Sequence, residues 1–142
     1  MPDRPLPQPT PTSQPFWDGL RARRVMLQYS PSSDQWVHYP RSRAPGTLAD
    51  DLEWREVSGE GHVYTFTVAR RPTAPAWAED VPQLIAVVEL DEGPKITTEL
   101  VDVEPEAIRI GMRVRPLIHE GGDVTLLRFA PPKPHPRRRR PP

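Results

Sequence analysis

Four histidines are the first side chains in this sequence that could support acid–base or metal chemistry. They are His38, His62, His119 and His135, and they lie scattered, without an HxxxH or HxH spacing. Paired histidines at such short spacings are the usual sequence signature of a metal site. The sequence also has no cysteine, which excludes disulfides, a thiolate zinc site and a cysteine nucleophile. The histidines therefore predict neither a catalytic site nor a metal site.

Carboxylates and glycines do not supply catalytic chemistry either. Glu79 and Asp80 are adjacent, but neighbouring acids in a loop are usually solvated. Gly59-x-Gly61 and Gly121-Gly122 resemble phosphate loops only superficially, because neither precedes the helix that a phosphate loop requires. We expect a protein that is not an enzyme, with no catalytic residues, no metal and no cofactor bound by this chain.

Charge is distributed unevenly although the formal net charge is zero. The tail from Lys133 onward has five basic residues, Lys133 and Arg137 to Arg140, and no acid. Without these five, 14 Lys and Arg remain against 19 Asp and Glu, a net charge of −5. A mildly acidic body argues against general nucleic-acid binding.

Proline-rich ends frame the part of the chain that must fold. Proline accounts for 21 of the 142 residues, and much of it lies in residues 1–12 and 131–142. These compositions predict a disordered lead at 1–12 and a disordered Pro/Arg tail at 131–142. No apolar run is long enough to cross a membrane and no signal peptide opens the sequence, so we expect a cytoplasmic protein.

Two segments precede the strand-rich part of the sequence. Residues 13–24 have the pattern of a short helix, with Phe16, Trp17 and Leu20 on one apolar face. That face either packs on its own domain or docks on a partner, and the pattern fits both. A short strand over 25–28 leads into residues 29–51, a polar, turn-rich stretch too long for an ordinary loop.

Strand patterns then follow one another closely. Residues 52–57, 62–70, 83–90, 95–101, 112–118 and 124–129 each favour a strand, and Trp77 lies at the tip of the loop over 72–82. The last five strands, with a helical turn between the third and the fourth, have the order of an OB-type Greek-key barrel. We predict a mainly β fold with an N-terminal helix and a C-terminal five-stranded OB barrel.

Six short motifs, taken in order, resemble the acyl-CoA-associated OB family known as domain-of-unknown-function family thirty-five. They are Pro15-Phe16-Trp17-Asp18-Gly19-Leu20, Leu27-Gln28, Leu52-Glu53-Trp54, Ser58-Gly59-x-Gly61-x-Val63-Tyr64-x-Phe66-Thr67, Val88-Glu89-Leu90-Asp91-Glu92-Gly93-Pro94 and Ile110-Gly111-Met112-x-Val114. The resemblance covers residues 14 to 130. It implies an N-terminal helix at 13–24, a rubredoxin-like zinc ribbon at 25–54 and an OB-fold domain at 55–130.

The resemblance also implies that the ribbon has lost its zinc ligands. The family's two Cys-x-x-Cys knuckles fall on residues 30–33 and 44–47, so the four ligand positions are Ser30, Ser33, Ala44 and Thr47. Hydroxyl groups do not replace thiolates as zinc ligands at neutral pH. We therefore expect a degenerate, zinc-free ribbon. It is held by the packing of Trp36, Tyr39 and Leu48, by a partner, or not at all.

Members of this family are companions of thiolase-fold enzymes, among them sterol-carrier-type thiolases, retro-aldolases of steroid side chains and acyltransferases. The resemblance implies a non-catalytic accessory subunit that completes or stabilises an acyl-CoA site in a hetero-oligomer. Large aromatic residues usually anchor such interfaces, and the candidates are Phe16, Trp17, Leu20, Trp36, Tyr39 and Trp77. Candidate contacts for CoA phosphates, with acyl-CoA at the partner interface, are Arg41, Arg43, Arg70 and Arg71.

Two alternatives remain open from the sequence. One is a free-standing OB-fold binder of single-stranded nucleic acid, which would need aromatic residues on a strand face within a basic groove. Tyr64 and Phe66 share one face of their strand, but acidic residues surround the nearby arginines in the sequence. The other is an acyl-CoA-binding protein or enzyme that acts alone. We favour the accessory subunit, with no nucleic-acid or membrane partner.

Overall fold

The computed structural model describes residues 4–134. Within them the structure has an α-helix, two sheets and two 3₁₀ turns, which confirms the predicted mainly β fold. The elements are α1 (Gln14–Arg21), β1 (Val25–Ser30), β2 (Gln35–Val37), β3 (Glu53–Val57), β4 (Gly61–Ala69), β5 (Gln83–Leu90), β6 (Lys95–Glu99), β7 (Arg113–Glu120) and β8 (Thr125–Ala130), with 3₁₀ turns at Pro75–Trp77 and Pro105–Ala107.

Helix α1 begins with a proline in its first turn and ends earlier than residue 24, the predicted end. Its last helical residue is Arg21, because Arg23 adopts a positive φ of 64° that a right-handed helix does not accommodate. Ser13 occupies the cap position without capping the helix. Its hydroxyl instead accepts hydrogen bonds from the backbone N–H of Thr10 at 2.9 Å and from Trp17 Nε1 at 3.2 Å. These bonds fold the preceding chain back onto the helix.

A three-stranded antiparallel sheet follows the helix, in the order β2-β1-β3. We call β1 to β3 with their connections, residues 25–57, the ribbon unit. Strand β3 pairs with β1 from Glu53 to Val57, so residues 55–57 belong to this sheet, whereas the sequence placed them in the barrel domain. Strand β2 was not predicted. It pairs with the end of β1, where the rings of Tyr29 and Trp36 lie 4.8 Å apart.

The five remaining strands form the predicted OB barrel, in the order β6-β5-β4-β7-β8. Strand β5 is central and alternates buried with half-buried residues along its whole length, as its apolar sequence predicts. A parallel bridge between Leu100 and Phe129 and a 3.1 Å hydrogen bond from Thr98 Oγ1 to the carbonyl of Leu127 close the barrel between β6 and β8. The barrel core includes Val63, Val88 and Phe129, each fully buried.

The ribbon unit and the helix pack onto the barrel through shared apolar clusters. Leu27 of β1 is buried in the barrel core, and Trp36 of β2 packs against it. Phe16 and Leu20 of α1 form a second cluster with Val25, which contacts residues of β7 and β8. Burial of this kind stabilises a fold by about 25 cal/mol per Å² of apolar surface. These contacts therefore hold the ribbon unit and the helix against the barrel.

The described part of the proline-rich lead, residues 4–12, follows a defined path against the barrel, in contrast to the disorder expected from composition. The guanidinium of Arg4 lies 5.0 Å from the ring centre of Trp77, and Arg4 pairs with Asp80. At the other end of the chain, the predicted Arg tail at 137–140 and His135 lie outside the described residues.

Candidate functional site

The four positions that the resemblance assigns to zinc ligands converge in the ribbon unit. The hydroxyls of Ser33 and Thr47 are hydrogen-bonded at 2.7 Å, and the Ser33 backbone N–H donates to Ser30 Oγ at 3.3 Å. Ala44 is fully buried, and its carbonyl accepts the backbone N–H of Leu48 at 2.9 Å. One hydroxyl–hydroxyl hydrogen bond therefore joins the two loops, and each loop has a further hydrogen bond of its own, at the positions that the resemblance assigns to zinc ligands.

Asp51 completes this cluster, which we call the hydroxyl clasp: Ser30, Ser33, Ala44, Thr47 and Asp51. Its Oδ1 accepts the hydroxyl of Ser30 at 2.6 Å and its Oδ2 accepts the backbone N–H of Ser32 at 2.8 Å. These hydrogen bonds favour the charged carboxylate and lower the pKa of Asp51 from 3.8 to about 2. No local sequence signal identifies Asp51, because its hydrogen-bond partners lie 19 and 21 residues away along the chain.

The clasp does not fit a zinc ion. Structural zinc sites use four thiolate or imidazole ligands in tetrahedral geometry, and this cluster offers hydroxyls, a methyl group and one carboxylate that is already hydrogen-bonded. Among residues 4–134, no group of three or more His, Cys, Asp or Glu side chains is arranged to hold a metal. The residues present support the fold by hydrogen bonding alone.

A second feature orders the loop between β2 and β3. The side chain of Gln28, which is only 5% exposed, forms two hydrogen bonds with the backbone of Arg41. Its Oε1 accepts the Arg41 N–H at 2.7 Å, and its Nε2 donates to the Arg41 carbonyl at 2.8 Å. This pair fixes the neighbouring His38 and Tyr39 against helix α1, where the ring centres of His38 and Phe16 lie 5.5 Å apart.

His38 is a titratable group in largely apolar surroundings. It lies between Phe16 and the ring of Tyr39, whose centre is 4.4 Å away. Burial disfavours the imidazolium and lowers the pKa of His38 from 6.5 to about 4. His38 is therefore neutral at physiological pH and adds no charge to the surface around it.

An apolar cavity of about 350 Å³ lies where the helix, the ribbon unit and the barrel meet. Phe16 and Trp17 line one side, His38 and Tyr39 a second, and Leu127 of β8 the floor. We call it the junction cavity. Its size is at the lower end of the range for small-molecule pockets, and it also suits one large apolar side chain of a partner.

The predicted interface residues divide into buried and accessible groups. Phe16 is 8% exposed and Leu20 is 0% exposed, so both pack inside the chain and neither offers a free docking surface. Trp17, Trp36 and Trp77 are all half-buried, with Trp36 packed against the barrel core and Trp17 against the cluster of Phe16 and Leu20. Tyr39 is 55% exposed and is the most accessible of the six.

Four other large apolar residues are exposed: Leu6 in the lead, Leu48 in the ribbon unit, Tyr64 on β4 and Ile110 before β7, by 40%, 67%, 51% and 71%. The prediction that Leu48 packs within the ribbon unit was wrong, because its side chain faces solvent. Sequence reasoning did not identify Leu6 or Ile110 as exposed. Tyr64 is partly covered by Lys95, whose Nζ lies 4.6 Å from the ring centre.

The four candidate phosphate-binding arginines are exposed and lie in two places. Arg41 and Arg43 belong to the ribbon unit, and Arg70 and Arg71 follow β4 in the barrel. Within the part of the chain that the structure describes, none of the four forms an ion pair with a carboxylate. Their charges are therefore not neutralised by partners in residues 4–134.

The described helix is too short and too polar to cross a membrane.

The three histidines within residues 4–134, His38, His62 and His119, lie in separate segments. His62 Nε2 lies 3.5 Å from Glu89 Oε1, and the same carboxylate also faces Lys95 at 3.6 Å, which is a surface network across β4, β5 and β6. Such exposed pairs contribute little free energy and carry no reactive group.

Comparison with known proteins relates the whole fold to one family. Residues 54–119 match the family model described as "ChsH2, C-terminal OB-fold domain". A "DUF35 domain-containing scaffold protein" of Methanocaldococcus jannaschii is 32% identical over 119 residues, which cover 80% of this chain and 83% of that protein. A "Probable enoyl-CoA hydratase alpha subunit" of Thermomonospora curvata is 35% identical over 100 residues. That match covers 70% of this chain but only 31% of the longer hydratase subunit.

A solved structure extends the likeness to the three-dimensional fold. A chain of the "Ltp2-ChsH2(DUF35) aldolase" superposes with a TM-score of 0.79 and 31% sequence identity. The superposition covers 89% of this chain and 98% of that chain, so it includes the helix and the ribbon unit as well as the barrel. With its OB barrel, its ribbon unit and a scaffold-protein relative matched over 83% of that protein's length, the chain belongs to the DUF35 family.

Proposed function

We propose that this chain is a non-catalytic scaffold subunit that binds a thiolase-like acyl-CoA enzyme and completes or stabilises its active site. The observation that carries this proposal is the likeness to a chain of the Ltp2-ChsH2(DUF35) aldolase over 98% of that chain's length. A protein of that shape is known there in an assembly with an enzyme. The scattered histidines and the lack of cysteine are consistent with a partner that supplies the chemistry.

We place the docking surface around the mouth of the junction cavity. Tyr39 stands at the mouth with half of its side chain exposed, and Trp17 lies beside it with its indole N–H held by Ser13. Gln28 fixes the loop that carries Tyr39. Rigid aromatic residues beside an apolar cavity are typical of the energetic centre of an interface. A large apolar side chain of the partner would fill the cavity.

The exposed arginines suggest how such a complex would bind the phosphates of its substrate. CoA carries phosphates, and Arg41 and Arg43 lie on the same loop as Tyr39. Their positive charges would then stand at the edge of the docking surface and attract the phosphates of an acyl-CoA bound by the partner. Arg70 and Arg71 would contribute only if the partner also covers the end of β4.

Co-purification with the partner tests the docking surface. We expect Tyr39→Glu to weaken recovery of a co-expressed thiolase-like protein by at least tenfold while the melting temperature of the free subunit is unchanged. Tyr64→Glu is the matched control, because Tyr64 is 51% exposed but lies on the barrel at β4. Equal recovery of the partner by both variants would show that Tyr39 does not lie in the docking surface. Failure of the wild-type chain to bind any thiolase-like protein encoded beside it would overturn the function.

A further inference from the structure

The barrel has a second groove, of about 700 Å³, on the side where OB folds usually bind their ligands. One wall is Trp77 from the β4–β5 connection, and the other is Gly121 and Asp123 from the turn between β7 and β8. Leu126 and Arg128 of β8 line the base between them. We call it the loop groove. It is a different site from the junction cavity, although the lead contributes to both.

The chain's own lead covers this groove from the outside. Arg4, Pro5, Leu6 and Pro7 line it from the outside, and Arg4 reaches the far wall. There its guanidinium lies over Trp77 at 5.0 Å from the ring centre and pairs with the carboxylate of Asp80. A cation that lies over an indole ring and also pairs with a carboxylate makes a specific contact, because both its charge and its shape are recognised.

A turn anchors the other end of the lead to helix α1. The backbone N–H groups of Ser13 and Gln14 both donate to the carbonyl of Thr10, at 3.0 and 2.8 Å. The segment 4–9 is therefore tethered at Thr10 and reaches the groove through alternating prolines at 5, 7 and 9. Alternating prolines favour an extended polyproline II conformation, so binding costs little conformational entropy.

We propose that the loop groove is a binding site for extended basic-Pro-x-Pro segments, with Trp77 and Asp80 reading the basic residue. Residues 4–7, Arg-Pro-Leu-Pro, lie along it in the free chain. The same pattern occurs again as Lys-Pro-His-Pro at 133–136, so the class of ligand is represented twice in this sequence. A segment supplied in trans must displace the tethered lead, whose local concentration is in the millimolar range for a short linker.

Acidic residues around the groove explain why the ligand must be basic. Asp80 and Asp123 belong to the two loops of the groove. The arginine on its base, Arg128, lies 3.9 Å from the carboxylate of Glu99, so its positive charge is largely balanced. An acidic or neutral proline-rich segment would leave Asp80 without its cation. This site does not depend on the thiolase-like partner of the proposed function.

Nuclear magnetic resonance of the full chain can test the proposal through the indole N–H signal of Trp77. The variant Arg4→Glu/Leu6→Glu should release the lead and shift this signal, while the indole signals of the more distant Trp36 and Trp54 stay in place. A peptide with the sequence of residues 2–9 should then restore the wild-type position. It should bind the variant at least tenfold more tightly than the wild-type chain, in which the lead competes.

Two controls make the outcome decisive. Arg70→Glu removes one exposed arginine at the start of the same connection and should leave the Trp77 signal unchanged. A peptide with glutamate in place of the arginine should not bind the released variant. An unshifted Trp77 signal in Arg4→Glu/Leu6→Glu would show that the lead does not cover the groove at Trp77. Equal binding of the two peptides would show that the groove does not read the basic residue, and either result would overturn the proposal.

Discussion

The hydroxyl of Ser30 donates a 2.6 Å hydrogen bond to Oδ1 of Asp51, a residue 21 positions further along the chain. Ser30 ends β1, and Asp51 lies shortly before β3, so this bond ties both ends of the long connection between the two strands. Ser30 is fully buried, and a buried hydroxyl needs a partner of this kind to avoid a desolvation cost of about 1–3 kcal/mol. The bond therefore gives the ribbon unit an internal closure.

Replacing the carboxylate of Asp51 should change how the protein responds to acid. The pKa of Asp51 is lowered from 3.8 to about 2, so the charged form stabilises the fold above pH ~4, and this contribution is lost as the pH falls from ~4 to ~2. We expect Asp51→Asn to lower the melting temperature at neutral pH and to reduce the additional loss below pH ~4. Thermal unfolding at several pH values measures both effects. Asp50→Asn, at the exposed neighbouring position, is the control, and an equal acid response in the two variants would contradict the prediction.

Placing cysteines at the four positions that the resemblance assigns to zinc ligands should restore a metal site. In Ser30→Cys/Ser33→Cys/Ala44→Cys/Thr47→Cys, two Cys-x-x-Cys pairs would converge where Ser33 and Thr47 now share a 2.7 Å hydrogen bond. We expect about one zinc per chain in this variant by mass spectrometry of the metal, and a chelator should lower its melting temperature. The wild-type chain should contain no stoichiometric zinc. About one zinc per wild-type chain, or no zinc in the variant, would refute the assignment of these positions.

His38 should make the fold sensitive to mild acid. Its pKa is lowered from 6.5 to about 4, so the unfolded chain takes up a proton first, and stability falls as the pH drops from ~6.5 to ~4. The full effect is about 3 to 4 kcal/mol, from ~1.4 kcal/mol for each pH unit between the two pKa values. His38→Phe should remove this slope in denaturant unfolding curves. His119→Phe changes an exposed histidine and should leave it intact, and a slope that persists in His38→Phe would assign the effect elsewhere.

Gly61 should tolerate no side chain. It opens β4 and pairs with both β5 and β7, and a Cβ atom there would lie 2.3 Å from the backbone oxygen of Glu89. Backbone cannot move aside as a flexible side chain can, so we expect Gly61→Ala to lower the free energy of unfolding by about 2 to 3 kcal/mol. Thr65→Ala, at an exposed position of the same strand, should cost less than about 1 kcal/mol. Chemical denaturation compares them, and equal losses would contradict the close approach.

Barrel strands were predictable from sequence because their signal is local. The run at 83–90 is apolar at every position except Gln83 and Glu89, and β5 has those bounds. Strand β2 gave no such signal. Its three residues lie in a polar stretch and form a strand only because β1 offers a free edge, with Trp36 against Tyr29. Tertiary contacts determine a strand of that length.

The candidate site was predictable only in part, for the same reason. The resemblance located Ser30, Ser33, Ala44 and Thr47, but nothing near Asp51 indicated that it closes the cluster. The apolar face of α1 was equally ambiguous, because periodicity shows which residues share a face and does not show what covers them. The structure resolves this for Phe16 and Leu20, which pack within the chain.

Gln28 and the hydroxyl clasp have a consequence for the conditions under which this subunit keeps its shape. Thiolate sites lose their metal when oxidants convert cysteine to sulfenic or sulfinic acid, or when zinc becomes scarce. Serine, threonine, glutamine and aspartate do not undergo that oxidation, and the hydrogen bonds they form here require no supplied ion. The contacts that hold the ribbon unit together are therefore insensitive to peroxide and to zinc limitation.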